Sequence, residues 1–301
     1  MKDGFGRETT SLRISITQRC NLRCLYCHKE GESSPREEMS AHEIARLVRI
    51  AAGMGMRRLK ITGGEPLLRD DLEEIVAACA ERMEEVSVTT NGIALGGRSA
   101  SLREAGLSRV NVSLDTLDRQ KYIDISGVDA LPKVLGGIRT AVSAGLNPVK
   151  VNMVLMKGIN EGEVEAMIRF AEEEGVILQL IELETSREGV NNGFYARYHY
   201  DLRGIEEQLE ARALKVVSRR MHRRRKYLLP TEVEVVRPMH NTEFCANCNR
   251  LRITSDGRLR PCLLSQDGLV DVLTPLRQGA SDQELMDLFA KVIRERRPYW
   301  S

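Results

Sequence analysis

Residues 11–27 read SLRISITQRCNLRCLYC, a short apolar run that ends in three cysteines spaced C-x3-C-x2-C. The run predicts a strand over residues 11–17, so Cys20, Cys24 and Cys27 fall in the loop past its C-terminal end. The same placement recurs along the chain. Strands are predicted at 58–62, 86–90, 109–114, 149–155 and 177–183. GGEP (63–66) follows the second, NG (91–92) the third and DTLD (115–118) the fourth, while Asn152 lies within the fifth and Glu182 and Glu184 close the sixth. Helical periods fall between them at 40–52, 70–83, 99–105, 130–144 and 161–174, with Ser40 and Glu43 as a capping box and Gly145 as a stop signal. Six such repeats imply parallel strands joined by right-handed crossovers. An open doubly wound sheet would gather its functional loops at one switch point. Here they are spread over the whole C-terminal rim, as in a barrel. The fold class is α/β, with a partial barrel in the first two-thirds.

The chain has 301 residues, 42% of them hydrophobic, which is enough for a sizeable core. Charged residues make up 29% but leave a net charge of only +2, against a general nucleic-acid binder. The opening MKDGFGRETT lacks the apolar segment of a secretory signal, and no apolar run reaches membrane-spanning length, so a cytoplasmic protein is expected. In that reducing compartment the seven cysteines suit metal or cluster ligation better than disulfides. Cys79, at a helical apolar position in EEIVAACAERM, reads as packing. Near SREGVNNGF (186–194) the pattern changes, as at a linker. Beyond it lie a helix around 201–213, a basic run RRMHRRRK (219–226), strands at 226–229 and 232–236, and a final helix at 281–296. The basic run reads as a solvated hairpin face, with phosphate or partner contact as the alternative.

Each iron of a [4Fe–4S] cube needs one external ligand, so three thiols leave one iron open. As at catalytic zinc, an open position is where a small molecule can bind. A zinc site completed by a distant fourth ligand is the alternative, since His28 is sterically awkward beside Cys27. A second group, HNTEFCANCNRLRITSDGRLRPCLL (240–264), places Cys245, Cys248 and Cys262 at C-x2-C-x13-C with SDG as a hairpin turn. It allows a zinc ribbon with His240 as fourth ligand, or a second cluster with an open iron. Arg250, Arg252, Arg258 and Arg260 are interleaved with the thiols, and on a strand Arg250 and Arg252 would share a face. Two guanidinium forks beside a cluster would suit an anion.

CNLRCLYC together with TGGEPLL (62–68) resembles the radical S-adenosylmethionine (SAM) superfamily. The resemblance implies that Gly63, Gly64 and Glu65 hold the methionine amino end of SAM, and that Tyr26, Gly64 and Ser113 contact SAM. With the second cysteine group and CNRLR, residues 7–296 resemble the GTP 3′,8-cyclase family, the molybdenum cofactor biosynthesis protein A family. That implies a partial TIM-like (β/α)6 barrel over residues 1–185. It also implies a C-terminal α+β extension, 186–301, that covers the barrel mouth and carries an auxiliary cluster. Two [4Fe–4S] clusters and SAM follow as cofactors. The implied reaction converts GTP to (8S)-3′,8-cyclo-7,8-dihydroguanosine 5′-triphosphate. Arg13, Lys60, Thr89, Lys150 and the segment Arg250, Leu251, Arg252 would contact GTP. Five of these are cations, set against the roughly four negative charges of a triphosphate. The expected partners are GTP, a reductant and the downstream cyclic pyranopterin monophosphate synthase, with a homodimer left open and neither membrane nor nucleic acid expected. Two departures stand out. The sixth-strand arginine of the family is Gln179 here, and RRPYWS replaces a Gly-Gly tail. The rival functions are a radical SAM enzyme acting on a peptide, and a zinc- and RNA-binding protein.

Overall fold

The computed structural model describes residues 1–32 and 37–301. Its first six strands are β1 (Ser11–Ser15), β2 (Arg58–Thr62), β3 (Glu85–Thr90), β4 (Arg109–Ser113), β5 (Val149–Leu155) and β6 (Ile177–Glu182). They pair in that order, all parallel, with helices as the crossovers. Every predicted strand of the barrel is present, with ends shifted by a few residues. The Ser40–Glu43 capping box forms and starts the helix Ala41–Gly53. A helix at Arg119–Ser126 was not expected, although Asp118 caps it and Gly127 ends it at φ +77°. Another, Gly193–Tyr198, begins in the last two residues of the expected linker and continues past it, its first turn capped by Asn192.

The C-terminal region also extends the sheet. It supplies β7 (Lys215–Ser218), β8 (Arg225–Leu228), β9 (Glu232–Val236), β10 (Arg250–Ile253), β11 (Arg258–Arg260) and β12 (Val270–Asp271). β9 pairs parallel with β6, and β10 pairs parallel with β1. The result is one open twelve-stranded sheet in the order β12-β11-β10-β1-β2-β3-β4-β5-β6-β9-β8-β7. The barrel wall is thus extended at both edges by strands that arrive late in the sequence.

Alternation along the strands assigns the two faces. Leu12, Ile14, Leu59, Ile61, Val86 and Val88 point outward into the apolar layer under the helices, which continues through β4–β6. The inward positions are Arg13, Lys60, Ser87, Thr89, Asn111, Ser113, Lys150, Asn152 and Gln179. A barrel that only needed stability would fill its interior with branched apolar side chains. This one is lined with polar groups and must therefore hold water or a polar ligand.

Candidate active site

The strand register builds a row of charge across the chamber wall. Arg13 on β1 stands directly beside Arg252 on β10 and Lys60 on β2. Neighbouring strands lie only about 4.8 Å apart, and like charges placed directly opposite each other destabilise a sheet. Glu30 offsets part of this: its carboxylate accepts hydrogen bonds from Arg13 and, at 3.3 Å, from Arg252. Burial pushes the Glu30 carboxyl up, but Arg13 and Arg252 outweigh it and hold it at about 2. Lys60 has no acidic partner among the described residues; its ammonium donates to Asn111 Oδ1 at 2.9 Å. Burial drives its pKa well down, and Arg109, Arg13 and Arg250 add to the shift. The same pressure falls on Arg250, through burial first and then Arg252 and Arg13. An arginine does not give up its proton at working pH, so the site concentrates positive charge that lacks a counter-anion.

These groups line a cavity of about 540 Å³. Among the described residues, thirteen arginines and lysines line it and the acidic side chains are Glu85 and Glu184. Several donors of the residues that line it are buried with no hydrogen-bond partner among the described residues: Arg7 Nη2 and the Nε atoms of Arg13, Arg224, Arg250 and Arg296. Buried donors left unpaired cost about 1–3 kcal/mol each.

Of the residues expected at a nucleotide site, Arg13, Lys60, Thr89, Lys150, Arg250 and Arg252 line this cavity. Leu251 does not. Strand alternation turns it outward, fully buried and paired with Leu12. Lys150 faces the cavity, but its Nζ donates to the buried carboxylate of Glu234 at 2.6 Å. Burial pulls the lysine down to about 8 even though Glu234 opposes the shift. Glu234 was not anticipated; it lies on β9, opposite Gln179, a pairing that short-range sequence patterns do not reveal. The basic run is also corrected. Arg219, Arg220, Met221, His222 and Arg224 line the cavity, so much of the run faces the chamber and only part of it faces solvent.

At the C-terminal end of the strands, a smaller cavity of about 180 Å³ is lined by Cys20, Cys24, Cys27, Gly63 and Gly64. It shares Arg13, Tyr26, His28, Thr89 and Ser113 with the large one, so the two adjoin. The glycines bring two loops together: Gly64 donates its N–H to Thr17 O at 2.7 Å, and a Cβ there would stand 2.4 Å from Arg19 O. Glu65 differs from expectation. It is only 1% exposed, and its carboxylate accepts from Thr90 Oγ1 at 2.7 Å, Asn91 N at 2.6 Å and Leu67 N at 3.0 Å. It ties the loops after β2 and β3 together and leaves the glycine backbone to face the cavity. Tyr26 donates its hydroxyl to Asp115 Oδ2 at 2.7 Å; burial pushes that carboxyl up to about 6. The thiols fit a cationic cluster. Burial, Asp115 and the neighbouring Cys27 and Cys20 raise Cys24 to about 12, so a cationic centre among the three would be needed to ionise them together.

Cys245, Cys248 and Cys262 line the large cavity near the opposite end of the strands, because Cys248 lies just before β10 and β10 runs alongside β1. Cys245 Sγ accepts from the Trp300 backbone N–H at 3.4 Å and Cys248 Sγ from Arg296 at 3.6 Å. Burial pushes the Cys248 thiol up, but Arg296, Arg250 and Arg7 outweigh it and favour the thiolate that a cluster needs. Arg260 donates to the carbonyls of Cys262 at 3.0 Å and Gly31 at 2.7 Å, bracing one cysteine loop against the other. His240, considered as a zinc ligand, packs its ring 4.3 Å from that of Trp300. Among the described residues, no three His, Cys, Asp or Glu side chains are placed to hold a single metal ion. Cys79 is buried in the core, as expected. Among the same residues, no helix is long and apolar enough to cross a membrane.

Residues 14–171 match the Radical SAM superfamily and residues 176–301 match Molybdenum Cofactor Synthesis C. A probable GTP 3′,8-cyclase of Pyrococcus abyssi is 51% identical over 99% of both chains. The relative of the same name in Thermococcus kodakarensis is also 51% identical over 99% of both. One from Methanothermobacter thermautotrophicus is 47% identical over 100% of this chain and 99% of its own. Among solved structures, SuiB of Streptococcus suis bound to its precursor peptide aligns with a TM-score of 0.66 at 17% identity, over 97% of this chain and 66% of that one. The anSMEcpe structure with bound AdoMet gives 0.55 at 15% identity, over 95% of this chain and 84% of that one. At such identities these two share the fold with this chain.

Proposed function

This chain belongs to the GTP 3′,8-cyclase family of radical SAM enzymes, and from that premise we propose how its residues divide the work. The reaction is the conversion of GTP to (8S)-3′,8-cyclo-7,8-dihydroguanosine 5′-triphosphate in molybdenum cofactor biosynthesis. Cys20, Cys24 and Cys27 would hold a [4Fe–4S] cluster, which together with SAM would supply the reductive radical chemistry that starts the reaction. The backbone of Gly63 and Gly64 receives the methionyl amino group, and Tyr26 and Ser113 position the rest of SAM. Arg13, Lys60, Thr89, Lys150, Arg250 and Arg252 bind GTP in the large cavity. Cys245, Cys248 and Cys262 would hold a second cluster at the other end of that cavity, where it would offer a binding position for the guanine. Residues 1–185 thus bring SAM, and residues 186–301 bring the base-binding end. Each turnover also needs an external reductant, and the product passes to a cyclic pyranopterin monophosphate synthase.

One observation carries this reading: Arg252, Arg13 and Lys60 stand side by side in a chamber flanked by both cysteine groups. So much charge in a desolvated pocket suits a polyphosphate and not a peptide. Carbon 3′ of the ribose and carbon 8 of the base belong to one GTP molecule, so the protein's part is to hold the nucleotide in the conformation that brings them together and to keep water from the reacting carbons. The test is to mix the anaerobically reconstituted protein with GTP, SAM and dithionite and analyse products by mass spectrometry. A cyclised dihydro-GTP isomer is expected, together with 5′-deoxyadenosine. Release of 5′-deoxyadenosine with unchanged GTP, or consumption of a peptide in its place, would refute the assignment.

A further inference from the structure

The β7–β8 hairpin carries two arginines for which the family resemblance gave no role. Arg219 and Arg224 face each other across its turn, the Arg219 N–H donating to the Arg224 carbonyl at 2.8 Å. Both line the large cavity. They reach it because β9 pairs with β6 and β8 pairs with β9, which places the hairpin at the wall's far edge.

Glu234 fixes them. This carboxylate is fully buried and accepts from Lys150 Nζ at 2.6 Å, Arg219 Nη1 at 2.9 Å and Gln179 Nε2 at 2.5 Å. Arg224 approaches its other oxygen only to 3.9 Å, too far for a hydrogen bond. One carboxylate therefore faces Lys150, Arg219 and Arg224, leaving positive charge over. The Arg224 side chain is 12% exposed, and its Nε is buried with no partner among the described residues. Nearby acids do not relieve this, since Glu232 is engaged by Lys226 at 2.6 Å and Glu85 by Arg109 at 2.9 Å.

We propose that Arg219 and Arg224 form a second phosphate-recognising arm of the nucleotide site, positioned by Glu234. Gln179 is neutral and spends its amide on Glu234, so it is a spacer in the clamp. The arginine fork suits phosphate because it offers parallel N–H donors to two oxygens at once. Its partner in this chain is a nucleoside polyphosphate, with the arm contributing in proportion to the phosphates present. This rests on the GTP-cyclase reading, but it concerns residues which that reading does not need.

The test is anaerobic equilibrium binding of GTP, GMP and guanosine to the cluster-loaded protein and to its Arg219→Ala, Arg224→Ala and Arg224→Lys variants. Each alanine variant is expected to bind GTP roughly ten- to a hundred-fold more weakly. Guanosine affinity should stay unchanged, GMP should be affected less than GTP, and Arg224→Lys should recover part of the loss. Unchanged SAM affinity and iron content in the same preparations would establish that the variants are folded. Wild type that binds guanosine as tightly as GTP would overturn the underlying reading. Wild type that prefers GTP, with variants that keep the full preference or lose guanosine equally, would overturn the arm alone.

Discussion

Lys150 shows what a single buried group can decide. Its ammonium is held at about 8 by burial, with Arg219 and Arg109 pressing it down and Glu234 holding it up. Below that pH it is a cation facing the phosphates; above it, it is neutral. GTP affinity should therefore fall as pH rises through about 8, with binding drawing a proton back onto the lysine. Lys150→Arg, which keeps its charge throughout, should flatten that profile. A wild-type GTP affinity that is level from pH 7 to 9.5 would contradict the assignment. Arg250→Ala and Arg252→Ala should each weaken GTP by about 1.5–3 kcal/mol and leave guanosine nearly unaffected. Equal losses for guanosine would mean that these arginines meet the base. Arg250 and Arg252 were legible in the sequence because they alternate along a short strand beside the second cysteine group, whereas Arg13 and Lys60 came only from the family resemblance. Glu234, Arg219 and Arg224 were not legible, because their meaning depends on a pairing of β6 with β9 that crosses more than fifty residues. Glu65 was misread for a related reason: its partners, Thr90 and Asn91, lie at the end of another strand.

At the level of elements, one tight constraint is the backbone contact between the loop after β2 and the one that leads into Cys20. Adding a methyl group at Gly64 would place it 2.4 Å from Arg19 O and 2.6 Å from Gln18 O, both backbone atoms that cannot yield cheaply. Gly64→Ala should thus displace the first cysteine loop, and the variant should lose about half its iron. Gly97→Ala is the control: it lies in the helix Leu95–Glu104 with nothing within 4 Å, and should stabilise the fold by about 0.5–1 kcal/mol with iron unchanged. Retention of full iron by Gly64→Ala would show that the two loops are not coupled. The six barrel strands were legible from their apolar runs. Which face turned inward was less so, because both faces of a parallel sheet are buried and the polar alternation is the only clue. The extra strands of the C-terminal region were partly missed because β11 and β12 are only three and two residues long.

For the whole molecule, the arrangement separates two jobs along one chamber. Changing Cys262 to Ala should abolish the second cluster alone, leaving about four irons, some SAM cleavage under strong reduction and no cyclised product. Loss of all iron in that variant would mean that the two cysteine loops, braced by Arg260 against Gly31, assemble only as a unit. The central claim is that GTP spans this chamber with its ribose toward Cys20, Cys24 and Cys27 and its base toward Cys245, Cys248 and Cys262. GTP carrying deuterium at ribose carbon 3′ tests it most directly, with the label followed under anaerobic turnover. Deuterium should appear in 5′-deoxyadenosine alongside the cyclised product. If 5′-deoxyadenosine instead carries only hydrogen while the deuterium stays at carbon 3′ of the GTP-derived material, another carbon faces the first cysteine loop and the proposed orientation of GTP is wrong.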